Sequence, residues 1–367
     1  MDRACAIVGG GLAGFVAYAT LRHGGLAPGE IAVFGTDPDP VAAWRPRAEA
    51  IRQRRMRSES DGHCYPRSFP GLAPREALRQ GTAAPLLETL CNRYRPTVDE
   101  FLRHVEELRE RSGWEESFQR HRAARVRAVS GGFEVDDRGS FRNVLVATGH
   151  PGLAVPPELE GDPRAVHAYE PHDYADRVAV VGAGMAAATE WLNALAAGAE
   201  VVSVRRREPV RRPLNVPRPL FSKAGLAGYH DAGRAERAEV LARFGEPSYP
   251  PGREWDEPLE SARREGRFRV SATLNGKAQV ICATGFRRGF EHDAVLRDLV
   301  DEHGLDTEGG WIVLEADGTV PAVSDGRRTL ALSGVHAQWA YPAADTLVGM
   351  KYVARRFLRK VRACPSR

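Results

Sequence analysis

The stretch RACAIVGGGLAG (residues 3–14) decides the fold, and a second stretch, RVAVVGAGMAA (residues 177–187), repeats its pattern. Each stretch opens with an apolar run of strand length and continues as G-x-G-x-x-G or G-x-G-x-x-A. A helical pattern follows each motif, over about residues 12–23 and 184–197. The repeat therefore predicts two strand–turn–helix units of the same kind.

Each helical pattern leads into another apolar strand, EIAVFG (residues 30–35) in the first unit and EVVSVR (residues 200–205) in the second. A glycine-rich turn between a strand and a helix is the context that a dinucleotide-binding motif requires. The glycines permit a tight turn, a close approach of pyrophosphate and close packing of the helix on the strand. The helix N-terminus offers free N–H groups to the phosphates. The predicted cofactor-binding residues of the two motifs are Gly9, Gly11, Gly14, Gly182, Gly184 and Ala187.

Two further signatures stand where buried strands are expected to end. NVLVATGH (residues 143–150) closes the first half of the chain, and AQVICATGF (residues 278–286) closes the second. Each is an apolar strand that runs into a glycine turn. We expect Thr148, Gly149 and Gly285 to contact a cofactor at these turns.

In this order, the four signatures resemble those of flavoproteins with two dinucleotide-binding domains, over roughly residues 3–360. Within that superfamily, the chain is most similar to the class B flavin-dependent monooxygenases. The resemblance implies that the first motif binds FAD and the second binds NADPH. It also implies an α/β fold with two Rossmann-like domains, in which an NADPH-binding domain (residues 152–285) is inserted into a discontinuous FAD-binding domain (residues 1–151 and 286–367).

Weaker signatures support the same resemblance. Trp44 and Arg45 stand where the family carries Gly-Gly-x-Trp, and Gly334 ends a strand that contacts the flavin in the family. Gly161 and His167 form a loose version of a fingerprint that precedes the second nucleotide motif, although their spacing is two residues too long. The resemblance implies that Trp44, Arg45 and Gly334 lie on the flavin side of the site.

The positions that hold the ribose differ between the two units. Gly35 occupies the place where an acidic residue binds the FAD ribose, so Asp37 or Asp39 must reach in from the loop or the backbone alone holds the adenosine. In the second unit, Arg205 occupies this place and Arg206 follows it. Arginine suits the 2′-phosphate of NADPH, which favours NADPH over NADH.

The substrate side is less defined by the sequence. The resemblance places the segment after Trp44 beside the flavin, which makes Ser60 and His63 candidates to face a substrate. Trp339 and Tyr341, which follow the last strand, are further candidates. A solvated basic helix followed by a loop explains residues 45–70 equally well.

Composition excludes several classes of protein. Apolar residues make up 43% and charged residues 27%, which is typical of a globular chain, and the net charge of +4 is small. We therefore expect no nucleic-acid partner. The five cysteines form no C-x-x-C pair, which predicts neither a metal site nor a dithiol centre. The absence of a long apolar run and of a signal peptide predicts a cytoplasmic protein with no membrane span.

Three functions remain open. The first is an NADPH- and FAD-dependent monooxygenase, which uses molecular oxygen and a C4a-(hydro)peroxyflavin to oxygenate a small molecule. The second is a flavin-dependent reductase or dehydrogenase without oxygen insertion, which shares the fold. The third is a non-catalytic protein that senses NADPH, for which Gly35 is the best support. In the first two, the cofactor carries the chemistry and the protein supplies geometry and exclusion of water. The sequence does not settle the oligomeric state.

Overall fold

The structure is a computed structural model that describes residues 3–58, 63, 72–91, 93–212, 216–276 and 278–363. The strands are β1 (Cys5–Val8), β2 (Ile31–Gly35), β3 (Phe118–Arg120), β4 (Val126–Val129), β5 (Gly132–Val135), β6 (Ser140–Phe141), β7 (Asn143–Val146), β8 (Ala165–His167), β9 (Arg177–Val181), β10 (Glu200–Val204), β11 (Val210–Arg211), β12 (Ser248–Tyr249), β13 (Phe268–Ser271), β14 (Gln279–Cys282), β15 (Thr307–Glu308), β16 (Trp311–Ile312) and β17 (Thr329–Leu332).

The helices are α1 (Leu12–His23), α2 (Arg45–Ala50), α3 (Ala73–Gln80), α4 (Ala84–Leu90), α5 (Val98–Ser112), α6 (Trp114–Ser117), α7 (Met185–Ala196), α8 (Lys223–Asp231), α9 (Arg234–Arg243), α10 (Arg253–Arg264), α11 (Ala294–His303) and α12 (Leu347–Ala363). Single turns of 3-10 helix occur at Pro28–Glu30, Pro157–Leu159, Arg218–Phe221, Phe290–His292 and Gly334–Ala337.

The first nucleotide motif extends from the central strand of a parallel five-stranded sheet. The strand order of this sheet is β17-β7-β1-β2-β3. The four residues of β1 are buried, as expected for a strand covered on both faces. Cys5 pairs with Ile31 of β2 on one side and with Asn143 of β7 on the other. This register brings the carboxyl ends of β1 and β7, which carry the first glycine motif and the first A-T-G, to the same edge of the sheet.

The second nucleotide motif has the same surroundings in a second parallel sheet. The strand order of this second sheet is β13-β10-β9-β14-β8. Strand β9 pairs with β10 on one side and with β14 on the other, as β1 pairs with β2 and β7. The second glycine motif and the second A-T-G therefore also share one sheet edge. The predicted α/β architecture with two Rossmann-like units is confirmed.

Helices cover the first sheet. Helix α1, which is almost entirely buried, packs against the C-terminal helix α12. Contact is close at Gly24, where a Cβ atom would lie 2.5 Å from the side chain of Leu358. Thr97 caps α5 by accepting a hydrogen bond from the Glu100 N–H at 3.1 Å, and the Glu100 carboxylate accepts from the Thr97 N–H at 2.8 Å, which completes a capping box.

Among the described residues, no helix has both the length and the apolar character needed to span a bilayer.

Candidate functional site

The three glycines of the first motif differ in what surrounds them. Gly9 has φ +120°, and a Cβ there would lie 2.2 Å from the carbonyl oxygen of Ala147. A Cβ at Gly14 would lie 1.9 Å from the carbonyl oxygen of Gly9. A Cβ at Gly11 would meet nothing within 4 Å. The outer two glycines are therefore required by the fold, whereas the middle one leaves open space for a ligand.

The second motif repeats this division. Gly182 has φ +130°, and its Cβ would lie 2.5 Å from the carbonyl oxygen of Ala283. Gly184 is open, with the nearest atom 4.0 Å away on Pro247. Ala187 is fully buried in α7, where its methyl group packs against the core.

Both motifs place an uncapped helix N-terminus beside the open glycine. Gly11 is the N-cap of α1 and Gly184 is the N-cap of α7, and neither position provides a side chain to bond the first turn. The N–H groups of that turn point along the axis without a helical partner, at the positive end of the dipole. This arrangement fits the phosphates of a dinucleotide at each helix.

A first cavity of about 490 Å³ opens beside the first motif. It is bounded by the first turn of α1, the segment from Pro40 to Ser58, the first A-T-G and the start of α12. Its lining includes Gly11, Leu12, Ala13, Trp44, Arg47, Met56, Arg57, Ser58, Thr148, Gly149, His150, Met185, Arg212, Gly334, Asp345, Thr346 and Leu347.

A second cavity of about 1050 Å³ opens beside the second motif. It extends from the α7 N-terminus to the three arginines that follow β10. Its lining includes His150, Glu158, Tyr169, Gly182, Gly184, Met185, Arg205, Arg206, Arg207, Glu246, Thr284, Gly285, Phe286, Arg288 and Asp345.

The two cavities meet at three residues that line both of them, His150, Met185 and Asp345. His150 directly follows the first A-T-G and stacks on Phe286, which directly follows the second, with ring centroids 4.1 Å apart. Tyr169 also stacks on Phe286, at 5.0 Å. The equivalent turns of the two units therefore meet in an aromatic contact between the cavities.

The first cavity is lined by more positive than negative charge. Arg47, Arg57 and Arg212 line it together with one acidic residue of the described chain, Asp345. The guanidinium of Arg57 donates to the hydroxyl of Thr189 at 2.7 Å, and that of Arg47 lies 5.0 Å from the centre of the Phe286 ring. Burial lowers the pKa of both arginines, but guanidinium keeps its charge in proteins.

His150 is neutral at physiological pH. Burial, aided by the nearby charges of His336, Arg47 and Arg288, lowers the pKa of its imidazole to about 3. Its Nδ1 is buried and has no hydrogen-bond partner among the described residues. His150 therefore contributes a polar but uncharged surface to both cavities.

Most of the predicted cofactor residues lie at these cavities. Those at the first cavity are Gly11, Trp44, Thr148, Gly149 and Gly334. Those at the second are Gly182, Gly184, Arg205, Arg206 and Gly285. Gly9, Gly14 and Ala187 support the loops from within the fold. Contact of these residues with a cofactor remains a prediction.

Arg45 and the residues near the first ribose-binding position, Gly35 and Asp37, make contacts within their own loop and with the neighbouring turn. The Arg45 guanidinium donates to the Asp39 carboxylate at 3.0 Å, and it is the neighbouring Arg47 that lines the first cavity. A Cβ at Gly35 would lie 2.9 Å from the Cα of Gly10, so a side chain does not fit there. Asp37 is exposed and accepts a hydrogen bond from the N–H of Asp39 at 2.8 Å.

Two of the substrate-side candidates are covered by other side chains of this chain, and their contact with a substrate stays a prediction. Trp339 is fully buried, with the Arg237 guanidinium 4.5 Å from its ring centre, and its carbonyl accepts a hydrogen bond from Tyr229 at 3.2 Å. Tyr341 is 2% exposed and stacks on Tyr352 at 4.2 Å. Helices α8 and α9 carry Tyr229 and Arg237. The sequence did not indicate that these helices cover the residues that follow the last strand.

The other two substrate-side candidates have different outcomes. His63 is fully buried and contacts the hydroxyl of Ser58, which lines the first cavity. Burial lowers the pKa of His63 to about 3, so its imidazole is neutral. Ser60 lies outside the described residues. A role in substrate binding stays a prediction for both.

The fingerprint histidine joins two parts of the second unit. The His167 ring Nε2 lies 3.0 Å from the carbonyl oxygen of Gly285, and its Nδ1 accepts from the Tyr169 N–H at 3.1 Å. These contacts fix Nε2 as the protonated nitrogen, which donates to Gly285. His167 therefore positions the second A-T-G turn and the stacked Tyr169.

Four further residues that line the cavities were not predicted from the sequence: Arg47, Arg57, Met185 and Asp345. Met185 lies within the second motif, and Arg57 belongs to the arginine-rich stretch that follows Trp44, so both had a signal in the sequence. Asp345 precedes α12 by two residues and had no signal beyond that position.

Comparison with known proteins places this geometry in a wider context. A family model described as pyridine nucleotide-disulphide oxidoreductase matches residues 3–219. No curated protein sequence matches the chain. Among solved structures, the ornithine N-hydroxylase of Kutzneria sp. 744, determined with reduced FAD, NADP+ and L-ornithine, is similar with a TM-score of 0.75 at 16% identity, and the match covers 99% of each chain.

Two further solved structures show the same fold. The ornithine hydroxylase of Pseudomonas aeruginosa matches with a TM-score of 0.71 at 16% identity, over 99% of this chain and 100% of its own. The bacillithiol disulfide reductase of Bacillus cereus matches with a TM-score of 0.56 at 14% identity, over 98% of this chain and 99% of its own. The family model spans more than half of the sequence. The chain therefore belongs to the pyridine nucleotide-disulphide oxidoreductase family and is an oxidoreductase that depends on FAD and NAD(P)H.

Proposed function

We propose that this chain is an NADPH- and FAD-dependent monooxygenase that oxygenates a small molecule. One observation carries the proposal: the two nucleotide motifs open into cavities that share His150, Met185 and Asp345. A nicotinamide held at the second motif and a flavin held at the first would both lie beside these residues. The likeness in fold to structures of ornithine and lysine monooxygenases supports the same function.

The first cavity fits FAD. The free N–H groups of the α1 N-terminus and the open space at Gly11 suit the pyrophosphate, and Trp44, Thr148 and Gly334 would border the rest of the cofactor. When bound, FAD accepts a hydride from NADPH and, once reduced, can transfer an oxygen atom from O2 to a substrate. The misfit is at the ribose, because Gly35 excludes the usual acidic side chain.

The second cavity fits NADPH better than NADH. Arg205 is 6% exposed in its side chain, and its guanidinium lies 5.5 Å from the ring centre of Trp191. Arg206 is 88% exposed in its side chain, and its guanidinium lies 3.7 Å from the Glu158 carboxylate. The Arg205 guanidinium also pairs with the Glu208 carboxylate at 2.8 Å. One buried and one exposed guanidinium side by side can together bind a 2′-phosphate.

The chain's own residues shape the meeting point of the two cavities. The stacked rings of His150 and Phe286 provide an uncharged aromatic wall at the meeting point, which would keep water away from reactive species there. Thr346 and Leu347, at the start of α12, line the first cavity and direct the positive end of that helix dipole toward it. This end favours the negative charge that a reduced flavin carries.

We further propose that the chain divides into an FAD-binding domain of residues 1–151 and 286–367 and an NADPH-binding domain of residues 152–285. Sheet order supports this division, because β8, β9, β10, β13 and β14 form one sheet and β1, β2, β3, β7 and β17 form the other. The chain crosses between the sheets in the segments where Leu153 forms a β-bridge with Phe286.

A disulfide reductase is the main rival function. Of the cysteines that the structure describes, Cys5 and Cys282 are buried in strands and Cys91 is exposed. None of these three is among the residues that line the two cavities. Burial raises the pKa of the Cys282 thiol to about 11, which makes it a poor nucleophile. These observations support oxygen transfer to a substrate over thiol exchange.

The fate of oxygen tests the proposal. The purified protein, reconstituted with FAD, is supplied with NADPH in air in the presence of L-ornithine, L-lysine or cadaverine, and NADPH oxidation and hydrogen peroxide are both measured. We expect at least one compound to accelerate NADPH oxidation while peroxide falls well below one equivalent and an oxygenated product forms. One equivalent of peroxide per NADPH under every condition, with no product, identifies a reductase or oxidase instead.

A further inference from the structure

A third cavity, much smaller than the other two, lies next to the first one. It measures about 20 Å³, which is room for one molecule of about the size of water. Four stretches of the chain contribute apolar side chains to its lining: Pro151, Phe290, Leu296, Ile312, Leu332 and Val335. We call it the side cavity.

The side cavity extends from the protein surface toward the first cavity. At its outer end, Arg287 and Arg288 are exposed. At its inner end, Leu296 is 1% exposed. Val335, which directly follows Gly334, lines both the side cavity and the first cavity. Val335 therefore stands between the side cavity and the predicted flavin site.

The interior of the side cavity favours an uncharged occupant. Its two guanidinium groups belong to the exposed residues Arg287 and Arg288. Burial lowers the pKa of the His336 imidazole at the inner end, although the Asp293 carboxylate, whose Oδ2 lies 3.6 Å from Nε2, and a hydrogen bond to the Gly149 carbonyl act in the opposite direction. His336 is therefore neutral. A small and mainly apolar space excludes ions, because they would lose their hydration there.

We propose that the side cavity is an entry path for molecular oxygen, which passes Val335 to reach the flavin. The inference rests on the proposed monooxygenase function and specifies the route of its gaseous co-substrate. O2 is small, apolar and uncharged, as the lining of the side cavity requires. FAD and NADPH, once bound, occupy the first and second cavities and narrow the direct openings to the flavin. The side cavity lies outside both of them, so it stays available to O2 while the larger openings are filled.

A single water molecule is the competing occupant. Nε2 of His336 is buried and has no hydrogen-bond partner among the described residues, and a water molecule there would bond to it. Such a water would satisfy a polar atom and would have no part in the reaction with oxygen. The experiments therefore use O2 itself as the probe.

The first experiment locates O2 in the protein without turnover. FAD-reconstituted protein with labelled methyl groups and oxidised flavin, which does not react with O2, is studied by NMR under oxygen pressure and under nitrogen at the same pressure. Because O2 is paramagnetic, it broadens the signals of methyl groups that it approaches. We expect broader signals under O2 from Leu296, Ile312 and Val335 than from Leu299, which is as buried in α11 as Leu296 but does not line the side cavity.

The second experiment narrows the path. Leu296→Phe places a larger side chain in the side cavity, and Leu299→Phe is the matched control on the same helix. The flavin is reduced with NADPH in the absence of oxygen, and its reoxidation is followed by absorbance after mixing with O2. We expect the second-order rate constant for reoxidation to fall about tenfold in Leu296→Phe, because O2 must displace a packed side chain. Reoxidation in Leu299→Phe should proceed at the wild-type rate.

Reduction of the flavin by NADPH separates a blocked path from a distorted site. It should proceed at the wild-type rate in Leu296→Phe, since Leu296 lines neither of the two larger cavities. The inference is wrong if reduction and reoxidation slow together, or if Leu299→Phe slows reoxidation as much as Leu296→Phe does.

Two further results would overturn the inference. One is reoxidation of Leu296→Phe at the wild-type rate, as expected if the side cavity holds only a water molecule. The other is a response to O2 of the methyl groups of Leu296, Ile312 and Val335 that is no larger than that of Leu299. The NMR measurement uses the wild type, so it decides the question even where Leu296→Phe does not fold.

Failure of the inference and of the proposed function can be told apart. Formation of an oxygenated product by the wild type supports the proposed function whatever route O2 takes. One equivalent of peroxide per NADPH under every condition, with no product, contradicts the proposed function. Slower reoxidation in Leu296→Phe would still support the entry path in that case, because an oxidase also needs O2 at its flavin.

Discussion

Gly11 and Gly14 lie three residues apart in the first motif but are constrained by opposite steric conditions. Space around Gly11 is open, whereas a side chain at Gly14 would collide with the backbone of Gly9. Substitution at the two positions therefore separates cofactor binding from folding.

We predict that Gly11→Val leaves the apoprotein folded and impairs FAD binding. The expected loss of stability is about 1 kcal/mol, because valine is a poor N-cap residue. FAD affinity should fall at least about tenfold, since the new side chain keeps the phosphates from the charge-assisted bonds of the α1 N-terminus. Thermal unfolding and FAD titration measure the two effects. Gly14→Val should instead prevent folding, and unchanged FAD affinity in Gly11→Val would show that FAD binds elsewhere.

Arg206 provides a second prediction at this scale. Arg206→Ala should raise the KM for NADPH about 10- to 100-fold, because a charged hydrogen bond to the 2′-phosphate is lost. The KM for NADH, which has no such phosphate, should change little. Arg253→Ala removes an exposed arginine of α10 that pairs with Glu257, and it serves as the control. Equal effects on both nucleotides would exclude recognition of the 2′-phosphate by this residue.

Local sequence predicted the backbone of the site better than its side chains. Gly9 and Gly182 are fixed by turn geometry that depends on the immediate neighbours, so their places were predictable. Asp345 gains its position from the meeting of two distant parts of the chain. The burial of Trp339 was not predictable for the same reason, because α8 and α9 cover it through tertiary contacts.

At the scale of elements, α7 links the second nucleotide motif to the first cavity. The Asn193 side chain donates to the carbonyl oxygen of Ile51 at 2.9 Å, and Thr189 accepts from Arg57 at 2.7 Å. The fully buried Glu190 accepts from Tyr174 at 2.8 Å and contacts His172 at 3.0 Å. The helix that begins at the second motif is therefore held against the segment that lines the first cavity.

The contact between His172 and Glu190 of α7 depends on pH, because His172 can gain or lose a proton. Burial alone would lower the pKa of His172, but hydrogen bonds to the Glu190 carboxylate and the Glu170 carbonyl raise it above its ordinary value. A raised pKa in the folded state means that the stabilisation is complete below the unfolded pKa of about 6.5. It is lost as the pH rises through the folded value.

We therefore expect the Tm of the wild type to fall as the pH rises from about 6 to 9, since His172 then loses its proton. His172→Gln should have a lower Tm at acidic pH and a smaller decrease over the same range. His292→Gln, which removes an exposed imidazole, is the control. Equal slopes in the wild type and His172→Gln would mean that His172 does not contribute a charged interaction to folding.

The elements next to the motifs were predictable because their pattern is local. Helix α1 runs from Leu12 to His23, as the sequence predicted, and α7 ends at Ala196, one residue before the predicted end. The C-terminal helix begins at Leu347, after the chain has turned through Thr346, which caps it. Apolar spacing does not reveal such a turn.

At the scale of the whole molecule, two units with the same central strand order meet through equivalent turns. Each places its glycine motif and its A-T-G at one sheet edge, and the residues after the two A-T-G turns, His150 and Phe286, stack together. The repeat in the sequence predicted the two units. It did not predict their mutual placement, which depends on contacts between residues far apart in the chain.

This placement leads to the central claim that a hydride passes from NADPH in the second cavity to FAD in the first. The most direct measurement is the visible flavin absorbance of the FAD-reconstituted protein after anaerobic mixing with NADPH. The account predicts that one equivalent of NADPH bleaches the flavin, faster than NADH does. A flavin that stays oxidised although both nucleotides are bound would contradict it.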